Sequence, residues 1–247
     1  KRLIVNMPPR HTKSEFASVY FPSWVMGLKP DMKIMQTTHT ADLSIRFGRK
    51  VRNLMDTQEY KRMFDNVSLA ADSKSAGRWE TSQGGEYFAA GVGGAITGRG
   101  ADLLIIDDPH SEQDALNLTA LERAYEWYTS GPRQRLQPGG AIVCVMTRWN
   151  VKDLTGQLLK HQKEAKADQW ELIEFPAIMP SNKPVWPEYW QLKELETVKA
   201  SLSIGKWNAQ WMQNPTSEEG AIIKREWWNV WEKDEMPALE HVIQSYD

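Results

Sequence analysis

The sequence holds a single cysteine, Cys144, so no internal disulfide can form and packing must hold the fold together. A reducing cytoplasm is the expected setting. Long apolar runs are missing too: the stretches 101–106 and 141–146 fall far short of the ~20 residues that a bilayer span takes, and no membrane association is expected. Nor is either charge in excess. With 30 basic against 32 acidic residues the net charge is -2, which excludes a protein that coats nucleic acid and leaves only a local patch to meet a polyanion. The 41% hydrophobic and 25% charged content excludes collagen-like, low-complexity and disordered classes. At about 150 residues per domain, 247 residues suit one domain plus a smaller appendage. Position 1 is Lys rather than Met, and strand-like runs abut both ends, so the sequence reads as a fragment without a targeting peptide.

What is present is an alternation of short apolar runs with polar, helix-compatible stretches, the pattern of βα units feeding a mostly parallel sheet. Strands are expected at 3–6, 33–37, 66–70, 87–91, 103–107, 141–146 and 171–175, and helices at 13–24, 41–55, 115–129 and 152–163. Pro176, Pro180, Pro184 and Pro187 then break the chain and mark a boundary. Beyond it lies a tryptophan-rich segment, Trp186, Trp190, Trp207, Trp211, Trp227, Trp228 and Trp231, with helical patterning at 189–200 and 206–213. Bulky aromatics filling the core of a small helical subdomain are one account; a base-stacking platform is the other.

Chemistry concentrates at three strand ends. The strand 3–6 runs into Met7-Pro8-Pro9-Arg10-His11-Thr12-Lys13-Ser14 and then a helix. A loop of this kind ending in Lys-Ser is where triphosphate oxygens meet backbone N–H groups and a helix dipole, with Lys13 toward the β- and γ-phosphates and Ser14 on Mg²⁺. Against the pattern G-x-x-x-x-G-K-[ST], Met7 and Thr12 stand at the glycine positions, so a Pro-rich turn before an ordinary helix is the alternative. The run Leu103 to Ile106 ends in Asp107-Asp108, two carboxylates where an α/β sheet collects functional groups. Asp107 suits Mg²⁺ and Asp108 the attacking water, or the pair opens a turn before Pro109. The strand 141–146 ends in Thr147-Arg148-Trp149-Asn150, a candidate γ-phosphate sensor or a plain strand end. The glycine-rich 91–100 holds Arg99, an arginine-finger candidate or a solvated arginine. Arg46, Arg49, Lys50 and Arg52 cluster on an expected helix and read most simply as a solvated face; Arg133 and Arg135, in an expected loop, are better placed to track DNA phosphates.

Residues 8–15, Gly98-Arg99-Gly100 leading into 103–109, and Met146-Thr-Arg-Trp-Asn150 together resemble the ATPase domain of the large terminase subunit of tailed bacteriophages, the DNA-packaging motor. The resemblance implies an α/β P-loop NTPase of the ASCE/RecA-like kind: a core over 1–179, a helical lid and linker over 180–236, and at 237–247 the start of a truncated RNase H-like nuclease domain. Asp247 would match the first metal-binding aspartate of that domain, so the fragment alone is not expected to cleave DNA, whereas the full-length protein would be an endonuclease. Pro9, Arg10, His11, Thr12, Lys13 and Ser14 would form the ATP-binding loop, with Arg10 near the γ-phosphate. Ser14 and Asp107 would bind Mg²⁺, and Asp108 would stand for the family's catalytic glutamate, one methylene shorter. Arg99 matches the arginine offered in trans, and Thr147 with Arg148 the motif coupling hydrolysis to lid movement. Thr12 stands where members usually have Gly. ATP and Mg²⁺ are the implied cofactors. Double-stranded DNA, a portal protein, a small terminase subunit and further copies in a ring on the procapsid are the implied partners, in the host cytoplasm. A helicase-like or remodelling ATPase, and a DNA-binding module with a decayed nucleotide loop, are the competing readings.

Overall fold

The computed structural model describes residues 1–72, 75–96 and 98–216. Lys1–Thr216 form one compact unit. Trp227, Trp228, Trp231, the rest of the expected lid, the expected nuclease start and Asp247 lie outside the described residues.

The chain begins with strand β1 (Arg2–Asn6), and Lys13–Glu15 (α1) then opens a continuous helical stretch. A five-residue π-helical turn over Phe16–Tyr20 joins α1 to α2 (Phe21–Leu28). After β2 (Lys33–Thr38), helix α3 (Ala41–Met55) starts where the Thr40 side chain accepts the Leu43 amide, and it buries Phe47, Val51 and Met55 at a spacing of four. A Cβ on Gly48 would lie 2.6 Å from the Ala76 carbonyl and 2.8 Å from the Tyr87 ring, so only glycine lets α3 lie this close to the sheet. Short α4 (Gln58–Met63) follows, then β3 (Arg78–Glu80), β4 (Glu86–Gly91) and β5 (Ala101–Asp107). Helix α5 (Leu118–Ser130) begins where the Asn117 side chain caps it, three residues later than the sequence pattern suggests. Then come β6 (Leu136–Met146), α6 (Leu154–His161) and β7 (Glu171–Glu174), and finally α7 (Leu192–Ser201) and the short α8 (Ile204–Lys206), which leads into a second π-helical turn, Trp207–Trp211.

The seven strands order as β3-β4-β2-β5-β6-β1-β7, every neighbouring pair parallel except β3 with β4. Because side chains alternate across a strand, the central strands feed two cores. Leu104 and Ile106 of β5 pack with Tyr128, Leu154 and Leu158 under α5 and α6. Leu103 and Ile105 pack on the opposite face with Val19, Met26, Phe47 and Val51. A third cluster, Ala177, Leu195, Trp207 and Trp211, organises the described part of the tryptophan-rich segment, so two of its tryptophans are core residues.

One expected strand is corrected. Residues 66–70 make only a single bridge, Leu69 with Thr81, while the edge strand is Arg78–Glu80, paired antiparallel to β4. Trp79 decides the matter: fully buried, it stacks on Tyr87 at 4.9 Å and locks that short segment in place.

Candidate active site

The register puts the chemistry in one row. Asn6 of β1 sits beside Met146 of β6, and Val145 of β6 beside Asp107 of β5. The loops leaving these three adjacent parallel strands therefore emerge side by side at their carboxyl ends, where α/β sheets bind ligands.

The loop after β1 turns twice through left-handed backbone without glycine, at Arg10 (φ 60°) and Thr12 (φ 62°). For a β-branched residue this conformation is strained, and such strain gathers where a site holds it in place. Thr12 then passes the chain into α1, its carbonyl accepting the amides of Glu15 and Phe16. Arg10 is exposed, whereas His11 is buried: its Nδ1 bonds the Pro9 carbonyl at 2.8 Å, and its ring stacks on Trp190 and meets Trp211 edge-on. Burial holds the His11 ring below the usual imidazole range; the Pro9 carbonyl opposes that shift and Lys13 adds to it.

From the start of α1, Lys13 Nζ reaches Asp108 Oδ2 at 2.8 Å. Ser14 Oγ donates to Asp107 Oδ1 at 3.0 Å, and Ser18 Oγ to Asp107 Oδ2 at 2.6 Å. Burial pushes the Asp107 carboxyl up to about 7, reinforced by the neighbouring Asp108 charge and opposed by Ser18, Lys13 and Ser14. Asp108 takes a positive φ of 41° at the strand end, which points its carboxylate at two loops at once. Its Oδ1 accepts the Thr147 amide at 2.8 Å, while the Thr147 hydroxyl donates to the Met7 carbonyl at 3.1 Å. Lys13, Ser14, Asp107, Asp108 and Thr147 thus form one connected group.

Arg148 turns away from that group. Its Nε sits between both oxygens of Asp153 at 3.1 and 3.0 Å, and its backbone N–H donates to Gln213. Asp153, fully buried, also accepts the amides of Trp149, Asn150 and Gly156 and so ties the β6 loop to the start of α6. Arg99 is not brought to the group either: it pairs with Glu86 at the amino end of β4 and lies 4.2 Å over the Phe88 ring. Of the DNA-contact candidates, Lys50 pairs with Glu15 and Arg133 is held on both oxygens of Asp168.

No protein-family model matches the chain, and no curated protein matches it. Solved structures do. The large terminase of bacteriophage HK97 superposes with a TM-score of 0.56 at 10% identity, over 86% of this chain and 46% of that one. A mutant of the large terminase ATPase domain of Thermus phage P74-26 gives 0.50 at 14%, over 85% and 87%. The large terminase of another thermophilic bacteriophage gives 0.50 at 10%, over 85% and 48%. The fold is that of phage large-terminase ATPase domains. The chain spans about half the length of the first and third of these proteins and nearly all of the P74-26 domain.

Set in this fold, the connected group occupies the ends of β1, β5 and β6, where the sequence motifs lie. Ser18, Gln36, His110, Asp153 and Gln213 were not predicted. Ser18 carries a signal, a second hydroxyl four residues after Ser14 and hence on the same helix face, and Asp153 another, a helix cap accepting the Gly156 amide. His110, buried, accepts the Leu154 amide on Nε2 at 2.9 Å and joins the Asp108 loop to α6; nothing in its local sequence announces that contact.

Proposed function

We propose that the chain is the ATPase domain of a viral DNA-packaging motor, coupling ATP hydrolysis to translocation of double-stranded DNA into a procapsid. The observation that carries the reading is the meeting of the two loops: Ser14 on Asp107 at 3.0 Å and Lys13 on Asp108 at 2.8 Å, across β6. A lysine and a hydroxyl at a helix start, facing two carboxylates at a neighbouring strand end, are the groups phosphoryl transfer needs. Thr12 keeps the left-handed turn usually given to glycine, which favours a working loop over a decayed one.

Mg²⁺ fits the residues present. Among the described residues no cluster of three or more His, Cys, Asp or Glu forms an all-protein cage. Mg²⁺ does not require one, since one or two carboxylates and substrate phosphates suffice. Asp107 and Ser14 would hold the ion, which when bound neutralises charge on the phosphate oxygens. Lys13 would turn from Asp108 to the γ-phosphate, freeing Asp108 to orient and deprotonate the attacking water. Thr147, bonded to Asp108 and to Met7, would report the state of the site to the β6 loop, and Arg148 would pass it on through Asp153 and Gln213. Arg10 lies in the loop to meet the γ-phosphate. Arg99, held at the amino end of β4, would act on a neighbouring copy rather than on its own site. A ring of copies on a portal protein, a small terminase partner, a nuclease domain in the full-length protein and location at the procapsid in the host cytoplasm complete the proposal. DNA contact falls to exposed Arg46 and Arg49, and to Arg135, because Lys50 and Arg133 are engaged in ion pairs.

The test is steady-state ATP hydrolysis with Mg²⁺ by this chain and by Asp108→Asn, across a range of protein concentrations. Turnover that rises with concentration and vanishes in Asp108→Asn is the expected result. Turnover that survives in Asp108→Asn removes the assigned base.

A further inference from the structure

Asp107 is gripped from behind as well as from the mouth of the site. Ser18 lies on the π-helical turn Phe16–Tyr20, four residues beyond Ser14, and the two hydroxyls take one carboxylate oxygen each. π-helical turns are rare and recur at functional sites; here the turn carries the residue that holds the second oxygen of Asp107. Behind Ser18, Gln36 Nε2 of β2 donates to Ser18 Oγ at 3.0 Å. An amide N–H can only donate, so the Ser18 lone pair is engaged by Gln36 and its proton is directed to Asp107 Oδ2. Ser18 and Gln36 are both fully buried, and the Gln36 Oε1 atom has no hydrogen-bond partner among the described residues. A buried polar group left unpaired is unfavourable, and an apolar side chain of like size would avoid it. Packing does not explain the glutamine; orienting Ser18 does.

We propose that Ser18 and Gln36 are positioning residues for Asp107, anchoring Oδ2 so that Oδ1 is presented to Ser14 and to Mg²⁺. The proposal rests on the reading of Asp107 as the Mg²⁺ ligand. Partners behind a ligating carboxylate typically change metal affinity by about 10- to 100-fold when removed.

The experiment is Mg²⁺ titration of the binding of a fluorescent ATP analogue, read by anisotropy, with an EDTA baseline. Ser18→Ala is expected to raise the Mg²⁺ midpoint about tenfold while analogue binding in EDTA stays at the wild-type level. Gln36→Met, which keeps the volume, raises the midpoint by a smaller factor and serves should Ser18→Ala fail to fold by circular dichroism. On an Asp107→Asn background, Ser18→Ala adds nothing further. Unchanged midpoints in folded Ser18→Ala or Gln36→Met, or a Ser18→Ala effect that persists in full without Asp107, overturn the proposal. A wild-type protein whose analogue binding ignores Mg²⁺ overturns the assignment of Asp107 itself, and the positioning role with it.

Discussion

Lys13 Nζ and Asp108 Oδ2 lie 2.8 Å apart, joining the loop after β1 to the loop after β5 across the intervening strand β6. The Lys13 side chain is only 9% exposed, so its ammonium is directed into the site and not into bulk water. Lys13→Ala is expected to lower ATP turnover by at least about 10²-fold, the scale for losing one preorganised charge partner of a transition state. The change in melting temperature should be small, because Asp108 is partly exposed and can be hydrated. Phosphate-release kinetics beside a thermal melt check both; turnover within about threefold of wild type would remove Lys13 from the reaction.

Thr12 gives a prediction of the opposite sign. A left-handed β-branched residue costs roughly 1–2 kcal/mol, and glycine returns part of that through its greater unfolded-state freedom. Thr12→Gly should therefore stabilise the protein by about 0.5–1 kcal/mol, a rise in Tm of roughly 1–4 °C for a domain of this size. A lower Tm would mean that contacts of the Thr12 side chain, whose hydroxyl bonds the His11 carbonyl, outweigh the strain.

The raised Asp107 carboxyl makes stability depend on pH. Its ordinary value is 3.8, and burial lifts it to about 7 in the folded state. Between those values the folded protein holds a proton that the unfolded chain has released, so stability falls as pH rises through this window and levels off above it. Asp107→Asn removes that slope. Without nucleotide or Mg²⁺, the variant should gain on wild type from about pH 4 to about pH 8, by at most roughly 4 kcal/mol for a rise of about three pKa units at about 1.4 kcal/mol each. Urea denaturation at the two pH values measures the gain, and an equal difference at both would contradict it.

Asp153 should tolerate change least. It is fully buried, pairs with Arg148 and accepts three backbone amides around the β6–α6 turn. Asp153→Ala takes from a buried guanidinium its close partner and leaves it Glu174 at 3.9 Å, and breaking such a buried pair costs roughly 3–5 kcal/mol. Urea unfolding reads the loss directly; a loss below about 1 kcal/mol would show that water reaches Arg148.

The strand ends were legible in the sequence because apolar runs of four to seven residues stop at polar loops, and β1, β5 and β6 fall at or beside their expected positions. Lys13, Ser14, Asp107, Asp108 and Thr147 were legible for the same reason: each follows or ends such a run. The edge at residues 78–80 was not, since three residues carry no periodicity and Trp79 is fixed by stacking on a residue of the next strand. Arg99 was legible as an arginine in a glycine-rich loop, but its seat on Phe88 and Glu86 is a matter of tertiary packing. Gln36 and Gln213 were hidden too, because each acts through partners that only folding brings near; Asp153, by contrast, has its partners within five residues and caps the start of α6.

The pairing of Asn6 with Met146 and of Asp107 with Val145 also works as a ruler. Each strand measures out the distance from the core to its loop in whole residues, and neighbouring parallel strands are read against one another. A one-residue deletion in β5 would shift Asp107 by about 3.3 Å and flip it to the opposite face of the sheet. Loops around this site can therefore vary in length between relatives far more freely than the strands that deliver them.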